Sequence, residues 1–234
     1  IERGPEERIQ MLKDLGITKY AYDWREKHLE TMATELQLAK DSDMDVMAVW
    51  LWIDANQDTV RNLSATNKKF LKILQETGYQ GEIWTGFHEN YLEGLSDSAS
   101  ITKASSMVQY LSETTKSLNC KLALYNHGAW FGEPVNQVKV INNLADEDIG
   151  IIYNFHHAHE QIDEFDTIVE TMMPHLWHVN LNGMKIGGPK ILPIGEGDQE
   201  QEMLTKLLKE GYKGDLGILG HIEDADVKDV LQAN

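Results

Sequence analysis

The chain holds one cysteine, Cys120, so an internal disulfide is excluded, and its place in a predicted apolar strand points to a buried, inert thiol. It has no run of about 18 apolar residues of the kind that spans a bilayer, and no signal-peptide pattern. Basic residues are scarce, with 21 Lys and Arg against 38 Asp and Glu, giving a formal net charge of −17. Nucleic-acid phosphates and anionic membrane surfaces would be repelled, so neither is expected as a partner. The acidity itself serves solubility. Neither GxGxxG nor GxxxxGK[ST] occurs at a strand-to-helix turn, which removes the usual phosphate-cradling loops of nucleotide-binding sheets. Cysteine usage leaves the compartment open. A soluble protein is expected, either cytoplasmic or exported with its leader removed.

What is present is a regular alternation. With 234 residues, 41% of them hydrophobic, the chain can bury a substantial core, and an α/β barrel of about this size forms one domain, expected over residues 1–234. Apolar strands are expected at Ile17 to Tyr22, Val46 to Ile53, Glu82 to Phe87, Lys121 to Asn126, Ile149 to Asn154, Leu176 to Leu181 and Leu216 to Leu219. Helical periodicity fills the intervals, from a first helix entered at Pro5 to a short last one beginning near Asp224. Such alternation implies parallel strands joined by crossover helices. Seven strands and eight helices, with the chain opening on a helix at Ile1 rather than on Met, fit a (β/α)8 TIM barrel whose first strand is missing from the chain as given.

The ends of these strands carry the chemistry. Six of the nine histidines (His88, His127, His156, His157, His159 and His221) fall at or just past a strand's C-terminal end, the rim where parallel α/β folds bind ligands. Strand parity agrees. Leu122 and Leu124 share one face, suited to helices, while Ala123, Tyr125 and His127 share the other. In the sixth strand Trp177, Val179 and Leu181 are expected against helices, with His178, Asn180 and Asn182 inward.

Five motifs give the chain a likeness. Leu122-Ala123-Leu124-Tyr125-Asn126-His127-Gly128, Asn154-x-x-His157, His178-Val179-Asn180-Leu181-Asn182, Pro193-Ile194-Gly195-Glu196-Gly197-Asp198 and Gly211-Tyr212-Lys213-Gly214 together resemble the xylose isomerase-like TIM-barrel superfamily. That superfamily includes sugar isomerases, ketose epimerases, inosose dehydratases and type 2 apurinic endonucleases. The resemblance implies a site in which Glu, Asp, His and Glu from the last four strands hold a divalent metal. Here Tyr125, Asn154, Asn180 and Leu219 or Gly220 stand at those positions, and only the histidine of the Asp-x-x-His motif survives, as His157. Neutral amides and a phenol bring no charge to offset cation dehydration, so that metal site is not expected. No other cofactor is expected, and any metal that binds should be a transition metal held by histidines, from His127 or the 156–159 segment.

The candidate catalytic residues are therefore His127 and His157, whose imidazoles titrate near neutrality, and Glu89, a rim carboxylate beside His88. Candidate substrate contacts are Tyr125, Asn126, Asn154, His156, Asn180, Asn182, Lys185 and His221, with Trp52 as a stacking face. Neutral amides beside aromatic faces suit a small-molecule carbohydrate. The expected activity is that of a sugar isomerase or epimerase with a remodelled, metal-free site. The alternatives are a carbohydrate-binding barrel without catalysis, or a hydrolase or lyase using a histidine-bound metal.

Overall fold

The computed structural model describes residues 2–144, 148–220, 222 and 225–234. Among them seven strands run parallel, in chain order: β1 (Lys19–Tyr22), β2 (Asp45–Ile53), β3 (Glu82–Phe87), β4 (Lys121–Tyr125), β5 (Ile149–Asn154), β6 (Leu176–Leu181) and β7 (Asp215–Ile218). Helices α1 (Pro5–Asp14), α2 (Met32–Asp41), α3 (Ala65–Thr77), α4 (Asp97–Ser117), α5 (Ala129–Gly132), α6 (Pro134–Asn142), α7 (Phe165–Met172), α8 (Glu200–Lys209) and α9 (Val227–Ala233) alternate with them. The strands form a nearly closed barrel. Among the described residues the seam lies between β1 and β7, where Lys19 Nζ reaches Asp215 Oδ2 at 2.9 Å. An eightfold barrel short of its first strand has this topology.

Local chemistry sets the element ends. The Ser64 hydroxyl accepts from Asn67 N to start α3, and Gly78, at φ 66°, ends it in the left-handed conformation that glycine adopts at least cost. Ser96 starts α4 the same way, accepting from Ala99 N. The first strand begins at Lys19 rather than Ile17, because Ile17 N turns back to Leu12 O to close α1. The last helix begins at Val227, under the Asp226 side chain; Asp224, where it was expected to begin, lies outside the described residues. No helix among the described residues is long and apolar enough to cross a membrane.

Two buried layers result. Leu122, Leu124, Ile149, Ile151, Tyr153, Val179 and Leu181 face the helices in the larger core. Inside the ring Ala48, Trp50, Trp84, Ala123, Tyr125 and Ile152 form a second, aromatic cluster. Trp177 corrects the parity expectation: it packs on this inner cluster, not on the helices. The cause is an irregularity in the β5/β6 ladder, where Ile151 pairs with Leu176 but Ile152 pairs with His178, so one residue of β6 is unmatched. Gly150 makes room for the displaced indole, since a Cβ there would lie 2.0 Å from Trp177 Cδ2. The indole also lies under Lys121, whose Nζ is 5.2 Å from the ring centre.

Gly150→Ala should therefore cost about 1–3 kcal/mol by overpacking, and most of that cost should vanish in a Trp177→Leu background. Urea unfolding of the two single variants and the double variant measures the coupling. Additive effects would place the indole elsewhere.

Candidate functional site

The mouth of the barrel is built where β4 and β5 end. Asn126 extends their pairing beyond the last backbone rung: its Oδ1 accepts from Asn154 N at 2.8 Å, and its Nδ2 donates to Asn154 O at 3.1 Å. Asn154 is fully buried and uses both ends of its own amide. Its Oδ1 accepts from His156 N at 3.0 Å and its Nδ2 donates to Tyr125 Oη at 2.6 Å. The Tyr125 carbonyl accepts from Gln137 Nε2, 2.9 Å away on α6.

Above this floor sits a cluster of rings. His127 and His157 stand perpendicular with centres 4.6 Å apart, and His157 stands edge-on to Tyr125 at 5.5 Å. Trp52 meets His127 at 4.8 Å and Tyr125 at 6.0 Å. His88 adjoins Trp52 at 5.9 Å, and His156 adjoins His157 at 4.6 Å. Trp52, His127, His156 and His157 are half-buried, so the cluster opens to solvent above a buried floor. Glycine permits close packing at two points around this cluster. A Cβ on Gly86 would meet Trp52 Cζ3 at 2.3 Å, and one on Gly128, at φ 87°, would meet Phe87 O at 2.3 Å.

Burial sets the charge states. Burial holds the His127 imidazole below its ordinary range, the nearby His88 adds to the shift, and Glu89 opposes it. Near pH 7 it is therefore neutral, and its Nδ1 has no hydrogen-bond partner among the described residues. Burial drives the Tyr125 phenol far above its ordinary value; the Asn154 hydrogen bond pulls the other way, and the charge of Asp23 adds to the rise.

The structure brings together His127, His157, His156, Tyr125, Asn126, Asn154 and Trp52. Asn180 pairs with Asn154 in the β5/β6 ladder and sits beside Gly217 on the inner face. Glu89 is exposed on the short turn Glu89–Tyr91, within electrostatic reach of His127. Asn182 and Lys185 belong to the loop after β6 instead. Asn182 is buried and donates to Gly183 O and Lys190 O, while Lys185 is exposed and its carbonyl lies 2.7 Å from His159 Nε2. The same loop is pinned by Glu200, whose carboxylate accepts from Gly195 N and Gly197 N. His221 lies outside the described residues. His88 and Gln137 also join this arrangement, beyond the candidate site residues that the sequence points to. The position of His88 just past a strand was a usable signal, whereas Gln137, inside a helix, gave none.

A groove of about 610 Å³ lies beside the mouth on the same rim, lined by Ala55, Val60, Tyr91, Ser96, Thr102 and Lys103 among others. The ring cluster does not line it.

The residues present do not fit the hard divalent cation that the sequence resemblance implies. Tyr125, Asn154 and Asn180 bring no charge, and both ends of the Asn154 amide are already engaged. Among the described residues no group of three or more His, Cys, Asp or Glu is placed to hold a metal ion.

No protein-family model and no curated protein matches the chain. Solved structures do. The 3-keto-D-glucoside 4-epimerase YcjR from E. coli superposes with a TM-score of 0.68 at 16% identity, covering 99% of this chain and 94% of its own. A xylose isomerase-like TIM barrel protein from Mycobacterium smegmatis, in complex with magnesium, gives 0.62 at 14% identity, covering 98% and 87%. A family 2 AP endonuclease from Brucella melitensis gives 0.66 at 12% identity, covering 96% and 90%. The chain thus has the xylose isomerase-like TIM-barrel fold. Identities this low speak to the fold alone.

Because the folded protein holds the His127 pKa below the value of about 6.5 expected in the unfolded chain, His127 favours the folded state fully only above that value. This contribution is lost as pH falls from there through the folded pKa. NMR titration should show His127 as a late-protonating imidazole, and Trp52→Ala, which uncovers it, should move its midpoint upward. A midpoint at or above the ordinary value would contradict the burial.

Proposed function

We propose that this protein is a carbohydrate-active enzyme of the isomerase or epimerase type, moving a proton at a carbon next to a carbonyl without the superfamily's divalent metal. One observation carries the reading: two imidazoles, His127 and His157, lie 4.6 Å apart directly over a buried Tyr125–Asn154 pair, at the end of the barrel where this fold binds ligands.

His157 is the general base in this reading. It stands at the superfamily's surviving functional histidine, against both Tyr125 and His127. His127, held neutral by burial, is the second proton carrier, and the exposed Glu89 favours its protonated form. Trp52 offers an apolar face to the C–H side of a sugar ring. Asn154 and Asn126 shape the floor, and Asn180 supplies a neutral amide at the next strand.

A small neutral carbohydrate suits this set better than a polyanion. The chain's charge of −17 disfavours the phosphates that an endonuclease must approach, although one structural neighbour bears that name. An epimerase of a keto sugar is also among the neighbours, and proton removal beside a ketone needs only a base and a hydrogen-bond donor.

The test is solvent-deuterium incorporation into a panel of ketoses and keto-glycosides, followed by NMR. Wild-type protein should exchange a C–H proton of at least one sugar, and His157→Gln should slow that exchange about 100-fold or more. Binding without exchange on every sugar would leave a carbohydrate-binding barrel and overturn the enzymatic reading.

A further inference from the structure

This inference rests on the proton-transfer reading above and asks what stabilises the negative charge on the carbonyl oxygen once the α-proton has left. Elsewhere in the superfamily a metal ion does so. Here the hydrogen-bond directions at the junction of β4 and β5 single out one group.

His156 N is a backbone donor and can only donate, so Asn154 Oδ1 is the acceptor in that bond, at 3.0 Å. The orientation of the amide is then fixed. Its other end, Nδ2, faces Tyr125 Oη at 2.6 Å and can only donate in turn. The phenol oxygen is therefore the acceptor, and its own hydrogen remains to be given. Among the described residues Asn154 is the single hydrogen-bond partner of that oxygen. The ring cannot turn away, because Trp84 lies parallel to it at 6.5 Å and Trp50 abuts it edge-on at 5.7 Å. Three half-buried rings, Trp52, His127 and His157, lie against it on the open side.

We infer that Tyr125 is a catalytic hydrogen-bond donor, delivering its O–H to the carbonyl oxygen of the bound sugar and stabilising the enediolate that a metal would otherwise hold. The step balances without any oxidant or reductant. His157 takes the proton from the carbon beside the carbonyl. The C–H electron pair becomes the new C=C bond and the C=O π pair moves onto oxygen, where the Tyr125 hydrogen meets it. A solvent proton delivered to the opposite face of the same carbon, with the electrons flowing back, gives the epimer, and His157 releases the proton it took to solvent, which restores the free base. A buried phenol stays protonated throughout and acts as a fixed dipole, worth most once a bound sugar has displaced water from the mouth.

Two variants of chelator-treated protein test the assignment, with wild type measured alongside on the same sugar panel. Tyr125→Phe keeps the ring and its aromatic packing but removes the hydrogen. It should lower C–H exchange about 100-fold or more, weaken binding of erythronohydroxamate, a mimic of the enediolate, by about tenfold or more, and leave the thermal midpoint close to wild type. Asn154→Asp keeps the shape and the phenol but puts an acceptor where the donor was, so it should capture the Tyr125 hydrogen and suppress exchange in the same way. Exchange by Tyr125→Phe within a few-fold of wild type would overturn the role of Tyr125 and leave the enzymatic reading standing. Absence of exchange in wild type on every sugar would overturn that reading and this inference with it.

Discussion

The candidate site depends on one short-range constraint, the grip of Asn126 on the backbone of Asn154. A side-chain amide there makes the two bonds that the next backbone rung would have made, so β4 and β5 stay in register one step beyond the end of their ladder. Everything above inherits that register. Asn154 is held with its amide toward Tyr125, the chain then turns through His156, and His157 arrives over the phenol. If Asn126 were lost, two buried backbone groups of Asn154 would be left without those partners, at a cost of about 1–3 kcal/mol each. The site would lose its geometry before the barrel lost its fold.

The second requirement is a floor that does not yield. Barrels usually fill the ring with branched aliphatic residues. This one uses Trp50, Trp84, Tyr125 and Trp177, with the small Ala48 and Ala123 among them and Gly150 beside Trp177. Large and small side chains interlock, and edge-to-face aromatic pairs add about 0.5–1.5 kcal/mol each beyond area burial. Such a floor is buried and closely interlocked. It raises the cost of charge at Tyr125 and His127, and it strengthens any hydrogen bond a ligand makes there.

The fold was legible because the alternation of short apolar strands with 3.6-period helices runs through the whole chain, and parity placed Leu122 and Leu124 outside and Ala123 and Tyr125 inside. Parity failed at Trp177, since it presumes an unbroken ladder and the unmatched residue of β6 leaves no mark in composition. The candidate site was legible as a set of strand-end residues that the fold brings together, but not as a network. Asn126 and Asn154 look like free sugar-binding amides in sequence, yet the structure spends most of their capacity on each other, on His156 and on Tyr125. Asn182 looks inward by parity and instead braces the loop after β6. Which amides are engaged is a matter of tertiary hydrogen bonding, and a single sequence does not encode it locally.

The proposed chemistry asks neutral donors, Tyr125 and Asn154, to do at the end of β4 and β5 what a divalent cation would otherwise do. Tyr125 and Asn154 bring no charge to that point and are bonded to each other, so in the proposed site nothing offsets the cost of dehydrating a hard cation. Calorimetric titration of chelator-treated protein with magnesium and then manganese tests this most directly, with Tyr125→Phe as the reference. Neither ion should bind stoichiometrically, and the titration curves of the two proteins should coincide. One tight equivalent of either ion in the wild type, lost in Tyr125→Phe, would contradict the account.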